Sequence, residues 1–209
     1  MIETPPRLYA IADAAALAGR SIPAAVAEMA EAGVRWIQLR LKTPLEDRER
    51  LALVEQTARR LEGAAVRLWI DDRADLAVLV DAGGLHLGQR DLPPSAARRV
   101  VGPGCAIGFS THDLEQLGAA DAEPHVDVLA FGPIFETASK ERPDPVVGLS
   151  GLVRARSRTS KPLVAIGGLD AERAVAALAA GADSVALVSA VCQGEVGANC
   201  RRLLALLGA

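Results

Sequence analysis

The sequence is poor in aromatic residues, cysteine and long apolar runs. Aromatics make up 3% of its 209 residues although 50% are hydrophobic, and alanine is frequent, so we expect helices that pack closely through small side chains. Three cysteines without metal-ligand spacing fit a reducing compartment better than a disulfide framework. No apolar run approaches the roughly 20 residues that a membrane-spanning helix needs.

An excess of positive charge is also lacking. The net charge is −3, which argues against a general nucleic-acid surface and requires any phosphate recognition to be local. The first residues, MIETPPRLYA, have neither a basic segment nor an apolar stretch, so we expect no secretory signal and a cytoplasmic location. With 23% charged residues, the composition is that of a globular protein.

Short apolar runs alternate with longer segments of helical period along the whole chain. This alternation favours a parallel sheet, and eight strand–helix units in 1–209 predict a single-domain α/β protein, a (β/α)₈ TIM barrel. A doubly wound open sheet is the structural alternative. We predict strands at Leu8–Ala12, Trp36–Leu41, Leu68–Ile70, Leu85–Leu87, Ala106–Phe109, Val126–Phe131, Leu163–Ile166 and Ser184–Val188. We predict helices near 22–32, 45–62, 73–82, 94–101, 113–120, 150–158, 171–180 and 199–207.

Acidic residues follow two neighbouring strands. Asp71 and Asp72 end the WIDD run, and Asp91 follows LHLGQR. In a parallel barrel these strand ends meet at one rim, where carboxylates can hold Mg²⁺ together with substrate phosphate. The alternative is that Asp72 and Asp91 cap the following helices, or that Asp91 forms a turn. Taken with the basic residues of strand 2, the metal interpretation is favoured.

Strand 2 carries polar residues at every second position. Gln38, Arg40 and Lys42 therefore point to one face. Buried unpaired charge is costly, so this face needs an anion, solvent or neighbouring acids. A diphosphate cradle and a structural ion pair with a nearby aspartate are equally consistent with the spacing.

Two further segments have the composition of phosphate sites. Gly167-Gly168 follow strand 7 and Ser189 follows strand 8, which is where such barrels bind phosphate, although a tight turn is the alternative. The segment from Thr137 to Lys140 opens the longest loop, which is either a binding loop or a solvated one. His112 could act as a base, but at the start of a helix it is more often polar surface.

Together these segments resemble the thiamine phosphate synthase family. LYAIAD, GVRWIQLRLK, WIDDRADLA, LHLGQRDL, IGFSTH, FGPIFETASK and VAIGGL occur in that family's order and spacing, from Leu8 to about Val191. The resemblance implies a (β/α)₈ barrel. It also implies an enzyme that joins 4-amino-2-methyl-5-(diphosphooxymethyl)pyrimidine to 4-methyl-5-(2-phosphoethyl)thiazole, releasing diphosphate.

The resemblance further implies roles for individual residues. Asp72 and Asp91 would carry Mg²⁺, while Ser110, Lys140, Arg40 and Lys42 would act on the pyrimidine diphosphate at the reacting centre. Thr137, Ser139, Gly168, Val188 and Ser189 would hold the thiazole phosphate. The full set of substrate-binding residues would be Gln38, Leu39, Arg40, Leu41, Lys42, Asp71, Ser110, Thr137, Ala138, Ser139, Lys140, Gly168, Val188 and Ser189. The partners would be these small phosphorylated molecules, with no nucleic acid or membrane; a homo-oligomer is left open.

Two positions depart from the family pattern. Asp71 stands where the family usually has Asn, and an ionised Asp cannot donate a hydrogen bond to the substrate. Leu41 stands in the acidic place of the family's Gln-Leu-Arg-Glu-Lys run, on the opposite face from Arg40, so we expect it to affect packing more than chemistry. Asp71 could be protonated, could tighten metal binding or could mark altered activity.

Two other functions compete with the synthase. The related thiazole tautomerases look similar around IGFSTH and FETASK, where His112 could be their acid or base, but they lack the paired metal carboxylates. Retention of Asp72 and Asp91 favours the synthase. A barrel that binds thiamine precursors without turnover is the third possibility, and Asp71 is its only support.

Overall fold

The chain folds as strands and helices in regular alternation, and the computed structural model describes residues 4–137 and 144–209. The strands are β1 (Leu8–Asp13), β2 (Trp36–Arg40), β3 (Arg67–Asp71), β4 (Gly84–Leu87), β5 (Ala106–Thr111), β6 (Val128–Phe131), β7 (Leu163–Ile166) and β8 (Ser184–Leu187). The helices are α1 (Ile22–Glu31), α2 (Asp47–Arg60), α3 (Ala74–Leu79), α4 (Pro94–Val101), α5 (Leu114–Ala122), α6 (Gly148–Arg156), α7 (Ala171–Ala179), α8 (Ser189–Cys192) and α9 (Val196–Leu207).

The eight strands form a closed parallel barrel. Each strand pairs with its neighbour in sequence, and β8 pairs with β1 to close the sheet. The predicted (β/α)₈ barrel is therefore confirmed, and the open-sheet alternative is wrong. In the parts of the chain that the structure describes, no helix is both long and apolar enough to cross a membrane.

Several element boundaries differ from those predicted. Strand β2 ends at Arg40 rather than Leu41, and β6 begins at Val128 rather than Val126. The last helix begins at Val196, three residues before the predicted start. Helix α8 was not predicted, because four residues are too few to display a helical period.

Local sequence signals explain where several helices begin. Glu46 and Glu49 form a capping box at the start of α2, in which each side chain accepts a backbone N–H of the other. The carboxylate of Asp113 accepts the backbone N–H groups of Glu115 and Gln116 at the start of α5. These caps determine the residues at which α2 and α5 begin, after the loops that follow β2 and β5.

The few aromatic residues are concentrated inside the barrel. Tyr9, Trp36 and Trp69 come from β1, β2 and β3, with ring centroids 4.9 to 5.5 Å apart. Strands β5 to β8 contribute smaller side chains to this interior cluster, including Ala106, Ala130 and Ala186. Large rings on one side and small side chains on the other fill the barrel, since interiors are close-packed. The outward faces of the strands pack against the helices in a second, larger core.

Two glycines make room for the interior rings. A Cβ on Gly84 would lie less than 3.0 Å from the ring of Trp69, and one on Gly108 less than 3.0 Å from the ring of His86. Because Trp69 is fully buried, its ring cannot swing into solvent to relieve the overlap. A glycine on β4 is therefore a packing requirement of the aromatic half of the barrel.

We predict that Gly84→Ala lowers the free energy of unfolding by about 1–3 kcal/mol, because the added methyl overpacks the interior against Trp69. Gly118→Ala is the control. Gly118 lies within α5, where a Cβ would meet no atom within 4 Å, so Ala should be neutral or stabilise by up to about 1 kcal/mol. Urea unfolding measures the two variants, and equal stabilities would contradict this account of the interior.

Candidate active site

The carboxyl ends of β1 to β5 bring polar side chains to one rim of the barrel. Asp13 of β1 is the register partner of Arg40 on β2, and Asp71 of β3 is the partner of His86 on β4. Ser110 lies near the end of β5. Residues that are far apart in sequence thus become neighbours, because parallel strands end at the same edge.

The three polar residues of the strand 2 run differ in depth. Gln38 is buried and donates a hydrogen bond to the hydroxyl of Tyr9 over 3.0 Å. Arg40 pairs with Asp13 and lies 3.7 Å from a carboxylate oxygen of Asp71. Lys42 lies beyond the end of β2, with 47% of its side chain exposed. The three polar side chains therefore lie at increasing height along one face, from the barrel interior to the solvent-facing mouth.

Lys42 and Arg40 form ion pairs with the acids of the neighbouring strands. The Nζ of Lys42 contacts Asp72 and lies 3.6 Å from Asp71. The structural ion-pair interpretation is thus realised in this arrangement. It does not oppose a diphosphate cradle, because the exposed pair of Lys42 with Asp72 can exchange its carboxylate for a phosphate at little cost.

Asp71 is the most perturbed carboxyl of the rim. Burial and the neighbouring charge of Asp72 raise its pKa to about 7, although Lys42 and Arg40 act in the opposite direction. Near neutral pH this carboxyl is therefore partly protonated. A protonated carboxyl can donate a hydrogen bond, which is the capacity that the Asn of the family pattern would have.

Asp72 and Asp91 are not helix caps. The residue that precedes α3 is Arg73 and the residue that precedes α4 is Pro93, neither with a side-chain cap. The capping interpretation is therefore wrong. Asp91 instead accepts the backbone N–H of Gly88 over 2.7 Å, closing the turn after β4.

The two carboxylates adjoin one another at the mouth. Burial and a hydrogen bond with Asp72 raise the pKa of Asp91 above its ordinary value. The backbone N–H of Gly88, which donates to this carboxylate, acts in the opposite direction and lowers the pKa. Asp72 adopts a left-handed backbone with φ of 62°, while its own N–H donates to the carbonyl of His86. Aspartate is one of the few residues that tolerate this conformation. Two adjacent carboxylates are a donor set suited to a hard cation.

Carboxyls outnumber cationic groups in the contacts described at this rim. Asp13, Asp71, Asp72 and Asp91 meet Arg40 and Lys42, while Arg73 and Arg90 line the surface beside Asp72 and Asp91. Over residues 4–137 and 144–209, no three His, Cys, Asp or Glu side chains are grouped to hold an ion by themselves. Mg²⁺ typically uses one or two protein carboxylates and completes its shell with phosphate and water. The residues present therefore fit that ion.

Ser110 is held from two directions. Its hydroxyl lies 2.9 Å from Nε2 of His86, and its carbonyl accepts the side-chain amide of Gln89 over 2.7 Å. His86 is buried, with its ring in the space left by Gly108. The serine hydroxyl is thereby fixed at the mouth of the barrel, on the strand next to β4.

Leu39 and Leu41 point away from the rim. Leu39 is buried in the outer core and Leu41 packs against the same core from its edge. Their side chains face the helices, so contact with a substrate would come from their backbone atoms. The alternation on strand 2 places both leucines opposite Arg40, as predicted for Leu41.

Glycine residues follow β7 at the far side of the rim. Gly167 and Gly168 have φ values of 98° and 63°. A Cβ on Gly168 would lie less than 3.0 Å from the backbone of Phe135, so the close approach itself requires glycine. The tight-turn interpretation is therefore realised, at a place where both glycines are half-buried.

The unpredicted helix α8 begins at this same side. Val188 precedes it and Ser189 is its first residue, directly after β8. Ile166 and Ala186 are register partners, so the ends of β7 and β8 are adjacent. This is the position at which the sequence predicts a phosphate site.

The loop after β6 is described only in part. Thr137 is half-buried, whereas Ala138, Ser139 and Lys140 lie outside the described residues. The roles predicted for those three residues stay predictions.

His112 is not the surface residue that its position suggested. Its side chain is 12% exposed, and Nδ1 lies 2.7 Å from the carbonyl oxygen of Gly132. Its Nε2 lies 3.5 Å from a carboxylate oxygen of Asp144. Helix α5 begins two residues later, capped by Asp113, so His112 belongs to the rim and not to the helix surface.

Three side chains at or beneath the rim were missed as site residues. Asp13, Tyr9 and His86 contact Arg40, Gln38 and Ser110, respectively. For Asp13 a signal was available, because it follows the apolar run LYAIA as Asp71 follows its own strand. Tyr9 and His86 lie within strands, where sequence alone does not reveal the side chain that each contacts.

A closed parallel barrel with acidic, basic and glycine-rich segments at its carboxyl rim defines the class: a (β/α)₈ barrel with a candidate site at the carboxyl ends of its strands. The model of one family, described as thiamine monophosphate synthase, matches residues 8–191. The chain belongs to this family.

Individual relatives agree with that assignment. The chain is 47% identical over 188 residues to the thiamine-phosphate synthase of Koribacter versatilis, covering 88% of each chain. It is 39% identical over 205 residues to that of Chloroflexus aurantiacus, covering 96% of this chain and 92% of the relative. The solved thiamine phosphate pyrophosphorylase of Pyrococcus furiosus superposes with a TM-score of 0.85 at 30% identity, covering 97% of this chain and 95% of that one.

The raised pKa of Asp71 predicts a pH-dependent stability in Mg²⁺-free protein. The folded state holds the proton between the ordinary value of 3.8 and about 7. The stabilisation is therefore complete below pH 4 and is lost as the pH rises through 7. Relative to Asp71→Asn, the wild-type Tm should fall between pH 5 and pH 8, as measured by thermal unfolding in EDTA.

Asp75→Asn serves as the control for this titration. Hydrogen bonds from Arg73 lower the pKa of Asp75, so it is ionised in the folded and unfolded states across that range. The Tm difference between wild type and Asp75→Asn should then be constant from pH 5 to pH 8. A constant difference for Asp71→Asn as well would contradict the perturbed titration.

Proposed function

We propose that this protein is a Mg²⁺-dependent thiamine-phosphate synthase. The reaction would join 4-amino-2-methyl-5-(diphosphooxymethyl)pyrimidine to 4-methyl-5-(2-phosphoethyl)thiazole, and the enzyme would be a transferase of the pyrimidinylmethyl group. One observation carries the proposal: the basic run of strand 2 and the acids Asp72 and Asp91 meet at one rim. Family membership supports the same function. We further propose one such domain over 1–209, working in the cytoplasm.

The carboxyls of the rim support a role for a divalent cation. A diphosphate would be repelled by the carboxyls unless a positive charge accompanies it. Asp72 and Asp91 would hold Mg²⁺, which when bound supplies Lewis-acid stabilisation of the departing diphosphate. Arg40 and Lys42 would add hydrogen bonds to the same oxygens as negative charge develops there. Lys140 would belong to this set.

The remaining residues would orient the two substrates. Gln38, fixed by Tyr9, and Ser110, fixed by His86, would hold the pyrimidine. Gly168, Val188, Ser189, Thr137 and Ser139 would hold the thiazole phosphate across the mouth. The methylene C–O bond breaks with its electron pair going to diphosphate, the aminopyrimidine stabilises the resulting cation, and the thiazole nitrogen forms the new C–N bond. No covalent enzyme intermediate is needed, because positioning and charge stabilisation are sufficient.

The direct test is an incubation with both substrates, with and without Mg²⁺, and an assay for thiamine phosphate. We expect product only when Mg²⁺ is present. Thiazole isomerisation without product at any Mg²⁺ concentration would favour the tautomerase, with His112 as its acid or base. Binding of substrates without any turnover would favour a non-catalytic binder.

We predict that removal of the Asp72 carboxylate abolishes turnover while the fold is retained. Asp72→Asn is the sharper variant, because Asn tolerates the left-handed backbone, whereas Asp72→Ala adds a cost of about 1 kcal/mol there. Steady-state assays at saturating Mg²⁺ and thermal unfolding measure the two effects.

Asp81 provides a matched control for Asp72. It is an exposed aspartate that also has a positive φ, 49°, but it lies after α3 at the other end of the strands. Asp81→Asn should leave turnover unchanged. Unchanged turnover in Asp72→Asn as well would remove the metal assignment.

We also predict that Asp71→Asn is tolerated or raises turnover at neutral pH. The amide would supply permanently the donor that Asp71 offers only when protonated, and it would remove one negative charge beside the diphosphate. Rates at pH 7 and pH 8, compared with those of Asp71→Ala, which has no donor, measure this effect. A severe loss in Asp71→Asn would mean that the carboxylate has a role of its own.

A further inference from the structure

Asp13 is the most buried acid at the rim, and both of its carboxylate oxygens are engaged. Its side chain is 5% exposed. One oxygen accepts the backbone N–H of Ala16 over 2.9 Å, and the other accepts Nη1 of Arg40. An acid this deep needs such partners, because an unpaired buried charge is costly. None of the roles proposed above involves Asp13.

The backbone holds this ion pair in a fixed place. Asp13 and Arg40 are register partners on adjacent parallel strands, and the N–H of Ala14 donates to the carbonyl of Arg40 over 3.0 Å. Both ends of the pair are therefore anchored by the sheet itself. The carboxylate has little freedom to follow the guanidinium if the latter moves.

Arg40 lies between two competing acids. Asp13 engages Nη1, while Asp71 lies 3.7 Å away on the Nε side. The guanidinium has five N–H donors, and the hydrogen bond to Asp13 uses one of them, on Nη1. A guanidinium held at Nη1 presents its remaining donors in a fixed direction, as bidentate recognition of phosphate requires.

We propose that Asp13 is a positioning residue for Arg40. It holds the guanidinium against the pull of Asp71, so that its remaining N–H groups meet the diphosphate of the substrate. The inference rests on the proposed function, because it assigns the ligand of Arg40. Asp13 itself touches neither substrate.

Asp13→Asn separates positioning from simple electrostatics. The amide oxygen can still accept the N–H of Ala16, so the turn after β1 is retained, but the charge that holds Arg40 is lost. If only the charge sum mattered, removing a negative charge would tighten diphosphate binding. If Asp13 positions Arg40, the same variant binds diphosphate more weakly. The two accounts therefore predict opposite signs.

We expect Asp13→Asn to lower kcat/KM for the pyrimidine diphosphate by about tenfold, with the KM for the thiazole phosphate changed by less than about twofold. The Kd of inorganic diphosphate in the presence of Mg²⁺, measured by calorimetry, should rise by a similar factor. In an Arg40→Gln background, Asp13→Asn should have little further effect, because the group that it positions is absent.

Asp127→Asn is the matched control. Asp127 also pairs with an arginine, Arg98, over 2.7 Å and accepts a backbone N–H, that of Ile107, over 2.8 Å. It precedes β6, at the amino ends of the strands and away from the rim. Its loss should cost stability without changing either substrate's kinetics.

Each outcome of these measurements supports or overturns either the positioning role of Asp13 or the proposed function. Diphosphate binding that is unchanged or tighter in Asp13→Asn overturns the positioning role. So does a KM for the thiazole phosphate that rises as much as the KM for the pyrimidine diphosphate. A loss of diphosphate binding from Asp13→Asn that is just as large in the Arg40→Gln background also overturns it. Wild-type protein that makes no thiamine phosphate refutes the proposed function by itself. Diphosphate binding still tests Asp13 in that case, because it requires no turnover.

Discussion

The arrangement of the rim depends on one contact, the placement of Arg40 between Asp13 and Asp71. It exists because β1, β2 and β3 are adjacent and parallel, and because each carries a charged residue at its carboxyl end. A shift of register by one residue on β2 would turn Arg40 toward the helices and Leu41 toward the mouth. The strand pairing that makes the barrel therefore also determines the electrostatics of its mouth.

The interior beneath the rim fixes those strand ends. Tyr9 packs against Trp36 and Trp69, and its hydroxyl accepts the hydrogen bond from Gln38. A single aromatic residue thus belongs to the packed interior and also supports a polar side chain near the mouth. Rigid support of this kind is what precise substrate placement needs.

Sequence alone predicted the barrel and placed each strand boundary to within two residues, because the strands depend on the spacing of apolar runs. It did not resolve whether Asp72 and Asp91 cap helices, since the capping and metal interpretations use the same residue type before a helix. It missed α8, which is too short to have a period. The sequence also could not predict that the absence of a side chain at Gly84 and Gly108 makes room for the rings of Trp69 and His86, because those contacts join different strands.

The left-handed backbone at Asp72 restricts how this rim can evolve. At φ of 62° aspartate, asparagine and glycine are favoured, so lengthening the ligand to glutamate would combine a longer side chain with a strained backbone. Retuning the proposed cation site for an ion of another size by changing Asp72 alone is therefore disfavoured. The tolerated single steps are to asparagine and glycine, which remove the charge while they keep the chain path. Descendants that lose the chemistry would then be expected to keep the shape of the mouth.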